Sequence, residues 1–80
     1  KGAELMISVT AEKPQTKSIT NGQEMIIKPL SGQITITDSE GEAYVFYTGD
    51  YFILPLGFKG TWSSSGHGLV KYLTIETSEF

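Results

Sequence analysis

The sequence predicts an all-β domain, either a small antiparallel barrel or a sandwich of short strands. Three observations support this prediction. Apolar and polar residues alternate with a period of two along most of the chain. Gly, Pro, Asn and Asp recur at short intervals between these stretches and predict turns. No long segment carries the apolar spacing of an amphipathic helix. Seven or eight strands are therefore expected, without internal repeats or a linker.

Four strands are predicted in the first half of the chain. Pro14 lies in the polar turn that follows the first strand, and Asn21-Gly22 form the turn after the second. Pro29 marks a strand end, an edge or a bulge, because proline cannot donate a ladder hydrogen bond. In chain order these strands are residues 3–10, a weaker stretch over 17–20, then 24–30 and 33–37.

The second half begins with a hairpin turn over 38–41, in which Gly41 is free to adopt a positive φ. The run 51–54 is continuously apolar and short, which favours a fully buried strand. Residues 63–68 are rich in Ser and Gly and predict a flexible loop. The predicted strands are 43–48, 51–54, a strand around Thr61-Trp62, and 69–76.

Length, composition and charge exclude several functions. The chain has 80 residues and a mass of 8.8 kDa, so we expect a single domain over 1–80. It has no cysteine, which excludes disulfides and thiolate metal sites and fits a reducing compartment. The net charge is −3, all six basic residues are lysines, and arginine is absent; nucleic-acid binding is therefore not expected. No apolar run is long enough for a membrane span, and a cytoplasmic location is the default expectation.

One stretch of the second half resembles a known sequence motif. Gly49-Asp50, Pro55, Gly57 and the segment Phe58-Lys59-Gly60-Thr61-Trp62 are similar to the second motif of the cupins. Upstream, residues 26–42 resemble the end of the first cupin motif and its hairpin. The chain is thus similar, over about 24–75, to short RmlC-like cupins of the ureidoglycine aminohydrolase and ethanolamine-utilisation types. This resemblance implies a small cupin-type antiparallel β-barrel, or jelly roll.

The motif spacing also has physical reasons of its own. Gly49 permits a tight turn, and the Asp50 carboxylate can cap that turn. Pro55 ends a strand because it removes a donor, and Gly57 lets the chain bend across the barrel mouth. Together with Gly60, these are the structural motif residues that we expect.

The resemblance does not extend to metal ligands. Metal-binding cupins supply two histidines and a glutamate from the first motif and a third histidine from the second. The glutamate position falls on Met25, and Glu24 is one residue out of phase; such a slip turns a side chain to the other face of a strand. The histidine positions fall within 18–21 and on Gly60. His67, the only histidine, is expected to be an exposed loop residue. We therefore expect no transition metal and no other cofactor.

Two classes of function follow. The first is a metal-free cupin domain that binds a small organic ligand in the barrel lumen, or serves as a dimerising structural module. The alternative is an enzyme acting on a small polar metabolite, either ureidoglycine aminohydrolase-like or sugar-modifying, as the resemblance implies. No catalytic residue is predicted. The lining of the expected pocket, which could equally be ordinary barrel core, is Met25, Ile27, Phe52, Leu54, Phe58, Trp62 and Tyr72, with Lys28 or Lys59 as an anion anchor.

A homodimer is also predicted. A chain of this length without disulfides or a metal lacks the usual stabilising elements of a small domain, and association would bury more apolar area. The N-terminal strand 3–10 is a candidate for the interface because Met6 lies on its otherwise polar face. Many cupins pair through peripheral strands, so the resemblance implies the same. In the other interpretation this strand completes its own barrel.

Overall fold

The structure is a computed structural model that describes residues 3–79, and it contains eight strands in two sheets. The described residues contain no helix, so none that could cross a membrane. In chain order the strands are β1 (Ala3–Glu12), β2 (Thr16–Thr20), β3 (Met25–Ser31), β4 (Gln33–Asp38), β5 (Ala43–Tyr47), β6 (Phe52–Leu54), β7 (Lys59–Ser65) and β8 (Val70–Glu79).

Each sheet has four antiparallel strands. The order is β1-β8-β3-β6 in the first sheet and β2-β7-β4-β5 in the second. Consecutive strands change sheet at every connection except the β4–β5 hairpin, which gives a jelly roll. The predicted all-β fold and the eight strands are confirmed. β1 pairs with β8 of the same chain along its whole length, from Ala3 opposite Glu79 to Glu12 opposite Val70.

The core lies between the two sheets and follows from the period-two alternation of the strands. Phe46 of β5 stacks on Phe52 of β6 with ring centroids 4.2 Å apart, which closes the sandwich at the edge where these two strands lie. Trp62 meets Tyr72 edge to face with centroids 5.0 Å apart. The buried apolar residues are Ile27, Ile34, Ile36, Phe52, Leu54, Trp62 and Val70.

The turns form at the residues that the sequence indicated. Gly41, Gly49 and Gly57 all adopt positive φ angles, of 88°, 99° and 86°. The Asp38 carboxylate accepts hydrogen bonds from two backbone amides of its own hairpin, and Asp50 Oδ2 accepts one from the Tyr47 amide at 2.8 Å. The capping predicted for the Asp50 carboxylate is thus confirmed.

Pro29 lies beside a bulge in β3. The register of β3 against β8 shifts between Pro29 and Ser31, as expected where a proline cannot continue the ladder. Of the three possibilities that the sequence left open for this proline, the bulge is the one that occurs.

Two local predictions are wrong. The run 51–54 is not fully buried, because β6 is an edge strand with only one face on the core; Ile53 is 57% exposed while Phe52 and Leu54 are buried. Residues 63–65 are not loop but the end of β7, and Ser64 is buried. The serine-rich composition concealed this strand, whose inward-facing serine is held by hydrogen bonds rather than by apolar contact.

We predict that Trp62→Ala destabilises the domain by about 3–5 kcal/mol, because it removes a large ring from a small core. That loss approaches the total stability of a domain of this size. Tyr51→Ala is the control, since this aromatic side chain is 68% exposed and its loss should change stability by only about 0.5 kcal/mol. Urea denaturation measures both. A Trp62→Ala variant as stable as the control would contradict a structural role for the indole.

Candidate functional site

A cavity of about 280 Å³ lies between the two sheets, and we call it the inter-sheet cavity. Strands β1, β8, β3 and β6 line it on one side and β2 and β7 on the other. The apolar lining consists of Ile19, Met25, Ile27, Leu54 and Trp62. The polar lining consists of Thr10, Lys17, Thr20, Asn21, Tyr72 and Thr74. An apolar wall with a few polar groups is the usual composition of a small-molecule site.

The structure brings together five of the nine residues predicted to form a pocket. Phe52 and Phe58 lie elsewhere, in a cleft beside β5 and β6. Lys28 and Lys59 are exposed and alternate with inward-facing neighbours, so both lie on outer faces of the sheets. The five that line the inter-sheet cavity are Met25, Ile27, Leu54, Trp62 and Tyr72.

Beside the cavity, Glu12 at the end of β1 holds the two sheets together. Its Oε2 accepts hydrogen bonds from Ser64 Oγ at 2.9 Å and from Trp62 Nε1 at 3.2 Å, both on β7. Its Oε1 accepts one from the Tyr72 hydroxyl on β8 at 3.1 Å. Ser64 Oγ in turn accepts from the Gln15 amide at 3.1 Å. We call these residues the Glu12 network; hydrogen bonds to a charged acceptor are the stronger kind.

The network shifts the pKa of both acids in it. Burial alone raises the pKa of the Glu12 carboxyl, but the hydrogen bonds from Ser64, Gln15, Trp62 and Tyr72 outweigh burial and lower that pKa below 4.5. Burial, the charge of Glu12 and the hydrogen bond to it raise the pKa of Tyr72 to about 12. At neutral pH Glu12 is therefore ionised, and the Tyr72 hydroxyl keeps the proton that it donates.

The cupin metal positions do not fit a metal. Of the positions 18–21 and 25, Ile19, Thr20, Asn21 and Met25 line the inter-sheet cavity, yet none of them supplies an imidazole or a carboxylate. The Asn21 amide nitrogen instead donates to the carbonyls of Leu54 and Pro55, at 2.9 Å each. No group of three or more His, Cys, Asp or Glu within residues 3–79 could hold a metal ion.

The fourth ligand position is closed by backbone. A Cβ on Gly60 would collide with the carbonyl oxygen of Thr37 and lie 2.9 Å from the Phe58 ring. Any side chain here, histidine included, therefore requires the strands to move apart. His67 lies in the exposed segment between β7 and β8, beside Ser31 and Lys71.

Three residues of this region were not predicted to belong to the site. The polar composition of residues 12–15 predicts a turn that includes Glu12, whereas Glu12 is the last residue of β1 and half-buried. The sequence predicts a loop at Ser64 and a weak strand at Lys17, and it indicates a function for neither. For Lys17 a signal was present. It lies two residues before Ile19 in the same strand, and side chains at that spacing share one face of the sheet. For Glu12 and Ser64, whose contact spans 52 residues of sequence, local pattern carries no signal.

Comparison with known proteins identifies similar sequences and structures. A sequence profile of the EutQ-like cupin domain matches residues 7–72. No curated protein matches the chain by sequence.

Among solved structures, ethanolamine utilization protein Q (EutQ) from Salmonella typhimurium superposes with a TM-score of 0.76 at 17% identity, over 90% of this chain and 56% of its own. EutQ from Clostridium difficile gives 0.77 at 18% identity, over 90% and 55%. The chain thus spans little more than half of either protein. A DUF861 family protein from Thermotoga maritima gives 0.69 at 16% identity, over 96% of this chain and all of its own. At these identities the likeness concerns the fold.

We predict that Glu12→Gln lowers the stability of the domain at pH 7 by about 1–3 kcal/mol, because an amide accepts the three donated hydrogen bonds less well than a carboxylate. The difference from the natural chain should be complete above pH 4.5 and should shrink as the pH falls further. A lowered folded-state pKa stabilises only while the carboxylate is ionised.

Urea denaturation from pH 7 to pH 3 measures this difference. Glu24→Gln is the matched control, because Glu24 is exposed just before β3 and its loss should have little effect at any pH. A Glu12→Gln penalty that stays constant from pH 7 to pH 3 would contradict ionisation of Glu12 as the source of the stabilisation.

Proposed function

The chain belongs to the EutQ-like cupin domain family, and from this premise we propose that it is a metal-free cupin that binds a small organic ligand in the inter-sheet cavity. The observation that carries the proposal is the lining of that cavity. Where metal-binding cupins place ligands of the first motif, this chain has Met25 and the segment 18–21, of which Ile19, Thr20 and Asn21 line the cavity. The lumen is a chamber with apolar side chains and with threonine and tyrosine hydroxyl groups at its wall.

The size of the cavity supports the same proposal. At roughly 30 Å³ for each water-sized group, a volume of about 280 Å³ accommodates about nine such groups. This lies just below the range of about 300–1,000 Å³ that is usual for ligand sites. A small metabolite fits, and a sugar nucleotide does not.

Enzymatic action on a small polar metabolite, the alternative that the resemblance implies, has less support. General acid–base catalysis needs a titratable group free to exchange a proton with the substrate. Glu12 already accepts three hydrogen bonds, and Tyr72 holds its proton up to a pKa of about 12. Neither is poised for proton transfer near neutral pH.

We predict that a thermal-shift screen of small organic molecules, with chelator present, raises the melting temperature for members of about eight to ten heavy atoms. Thr74→Phe, which places a ring in the cavity wall, should abolish these shifts. Ser18→Phe is the matched control, because Ser18 is exposed and alternates with the inward-facing Lys17 and Ile19. Shifts that survive Thr74→Phe, or no shift for any member, would contradict binding in the cavity.

A homodimer is favoured by a surface on the outer face of the first sheet, which is the face of β1 opposite to the one that carries Met6. Ile7, Ile75, Ile26 and Ile53 lie opposite one another across all four strands, and we call them the isoleucine row. Ile7 and Ile53 are 59% and 57% exposed. Leu5 and Val9 extend the apolar surface along β1. Monomeric proteins rarely expose so continuous an apolar patch.

We propose that a second copy of this chain covers the isoleucine row. The four strands of this sheet have 10, 10, 7 and 3 residues and, at about 4.8 Å spacing, span about 500 Å², which is more than half of the roughly 800 Å² that each partner buries in a standard interface. The row contains no charge, so like-charge repulsion between two identical faces is small at its centre.

Light scattering should give a mass near twice 8.8 kDa for the natural chain. Ile7→Lys should give a monomer, because the interface would have to bury one unpaired ammonium group from each copy. Val45→Lys, on the outer face of the other sheet and 41% exposed, should leave the dimer intact. A mass of 8.8 kDa for the natural chain across a wide concentration range would exclude the dimer.

A further inference from the structure

The charged groups around the inter-sheet cavity are few. Among the described residues that line it, Lys17 alone carries a charge at neutral pH. The other polar groups at the wall are the hydroxyls of Thr10, Thr20 and Thr74, together with groups already engaged elsewhere. The Asn21 amide donates to Leu54 and Pro55. Lys17 is therefore the one charged side chain in the described lining of the chamber, and the Glu12 carboxylate lies behind the Trp62 and Tyr72 rings.

Lys17 lies at the mouth of the chamber on an inward-facing position. It is directly opposite Trp62 in the β2–β7 ladder, and its Nζ is 5.4 Å from the centre of the Trp62 ring. The indole thus holds the ammonium group beside the opening. The side chain is also exposed to solvent, so an incoming anion can replace water at Nζ without burying the charge.

The groups around this cation limit the anion to one negative charge. The Glu12 carboxylate lies just behind the rings of Trp62 and Tyr72, to which it is hydrogen-bonded, and the chain as a whole has a net charge of −3. A dianion such as a phosphate would be repelled by both. No arginine is present to offer a bidentate fork. A single lysine beside the Glu12 carboxylate therefore favours a ligand with one carboxylate group.

The rest of the chamber favours a ligand whose remaining part is apolar. Met25, Ile27 and Leu54 form the wall on the side of the first sheet, and they have no polar atoms that need a partner. From these features we infer that the inter-sheet cavity takes a small monocarboxylate, with its carboxylate at Lys17 Nζ and its aliphatic or aromatic part against these three side chains. This inference rests on the proposed function and gives the class of ligand.

The anion anchor differs from the two lysines that the sequence suggested. Lys28 and Lys59 lie on outer faces of the sheets, so neither can reach a ligand between the sheets. Lys59 therefore serves as the matched control, since it carries the same charge on the same sheet as Lys17.

The experiment compares three ligands of the same chain length: hexanoate, hexan-1-ol and hexylamine. Trp62, the only tryptophan, reports binding by its fluorescence, and calorimetry provides a second measurement. For the natural chain we expect hexanoate to bind about five-fold more tightly than hexan-1-ol, as for a partly solvated ion pair, and hexylamine to bind most weakly. The preference for hexanoate should decrease at high salt.

Lys17→Met keeps the apolar stem beside the indole and removes the charge. We expect it to reduce the affinity for hexanoate to that for hexan-1-ol while leaving the alcohol unchanged, and we expect Lys59→Met to change neither. Unaltered binding of hexan-1-ol shows that the variant cavity is intact, and Lys17→Gln repeats the test with a polar replacement.

The remaining outcomes separate this inference from the proposed function. If Lys17→Met leaves hexanoate affinity unchanged while Thr74→Phe abolishes it, the cavity binds ligands but the carboxylate assignment is overturned. If hexylamine or hexan-1-ol binds more tightly than hexanoate, the assignment is likewise overturned. If no ligand binds, or Thr74→Phe has no effect, the proposed function and this inference both fail.

Discussion

The contact on which the domain depends most is the hydrogen bonding of one carboxylate to both sheets. Glu12 belongs to β1 of the first sheet, and it accepts from Trp62 and Ser64 of the second and from Tyr72 of the first. Apart from the hydrogen bond from Asn21 to the Leu54 carbonyl, the side chains that meet between the sheets are mostly apolar, and their packing is non-directional. The Glu12 network supplies the direction, because the indole N–H can meet the carboxylate in only one orientation of the ring. The position of Trp62, and with it the shape of the inter-sheet cavity, follows from this contact.

This arrangement also explains how an 80-residue chain can leave a chamber between its sheets. A small domain with few buried side chains is marginally stable, and an open cavity costs packing contacts. Here the Phe46–Phe52 stack closes the edge formed by β5 and β6, and the Glu12 network fixes the side of β1, β7 and β8. The chamber lies between these two fixed regions. Lys17 and Thr20, on the edge strand β2, form its exposed rim.

Most of the fold could be predicted from the sequence because it depends on local rules. Alternation places Ile34 and Ile36 inside, and positive φ at Gly41, Gly49 and Gly57 sets the turns. The site was less predictable because it depends on contacts between distant segments. The sequence suggested Lys28 and Lys59 as anion anchors and not Lys17, because the face on which a lysine lies depends on the register of its strand, and a shift of one residue exchanges the inner and outer faces.

The close approach at Gly60 has a consequence for how this cupin could change over evolutionary time. A histidine at this position meets the Thr37 carbonyl and the Phe58 ring, so the substitution is harmful before it can be useful. A metal centre with a ligand at this position requires a change at Phe58 and a displacement of β4 from β7, in addition to new ligands within 18–21 and at Met25. The backbone at Gly60 therefore prevents a metal centre from arising here by single substitutions.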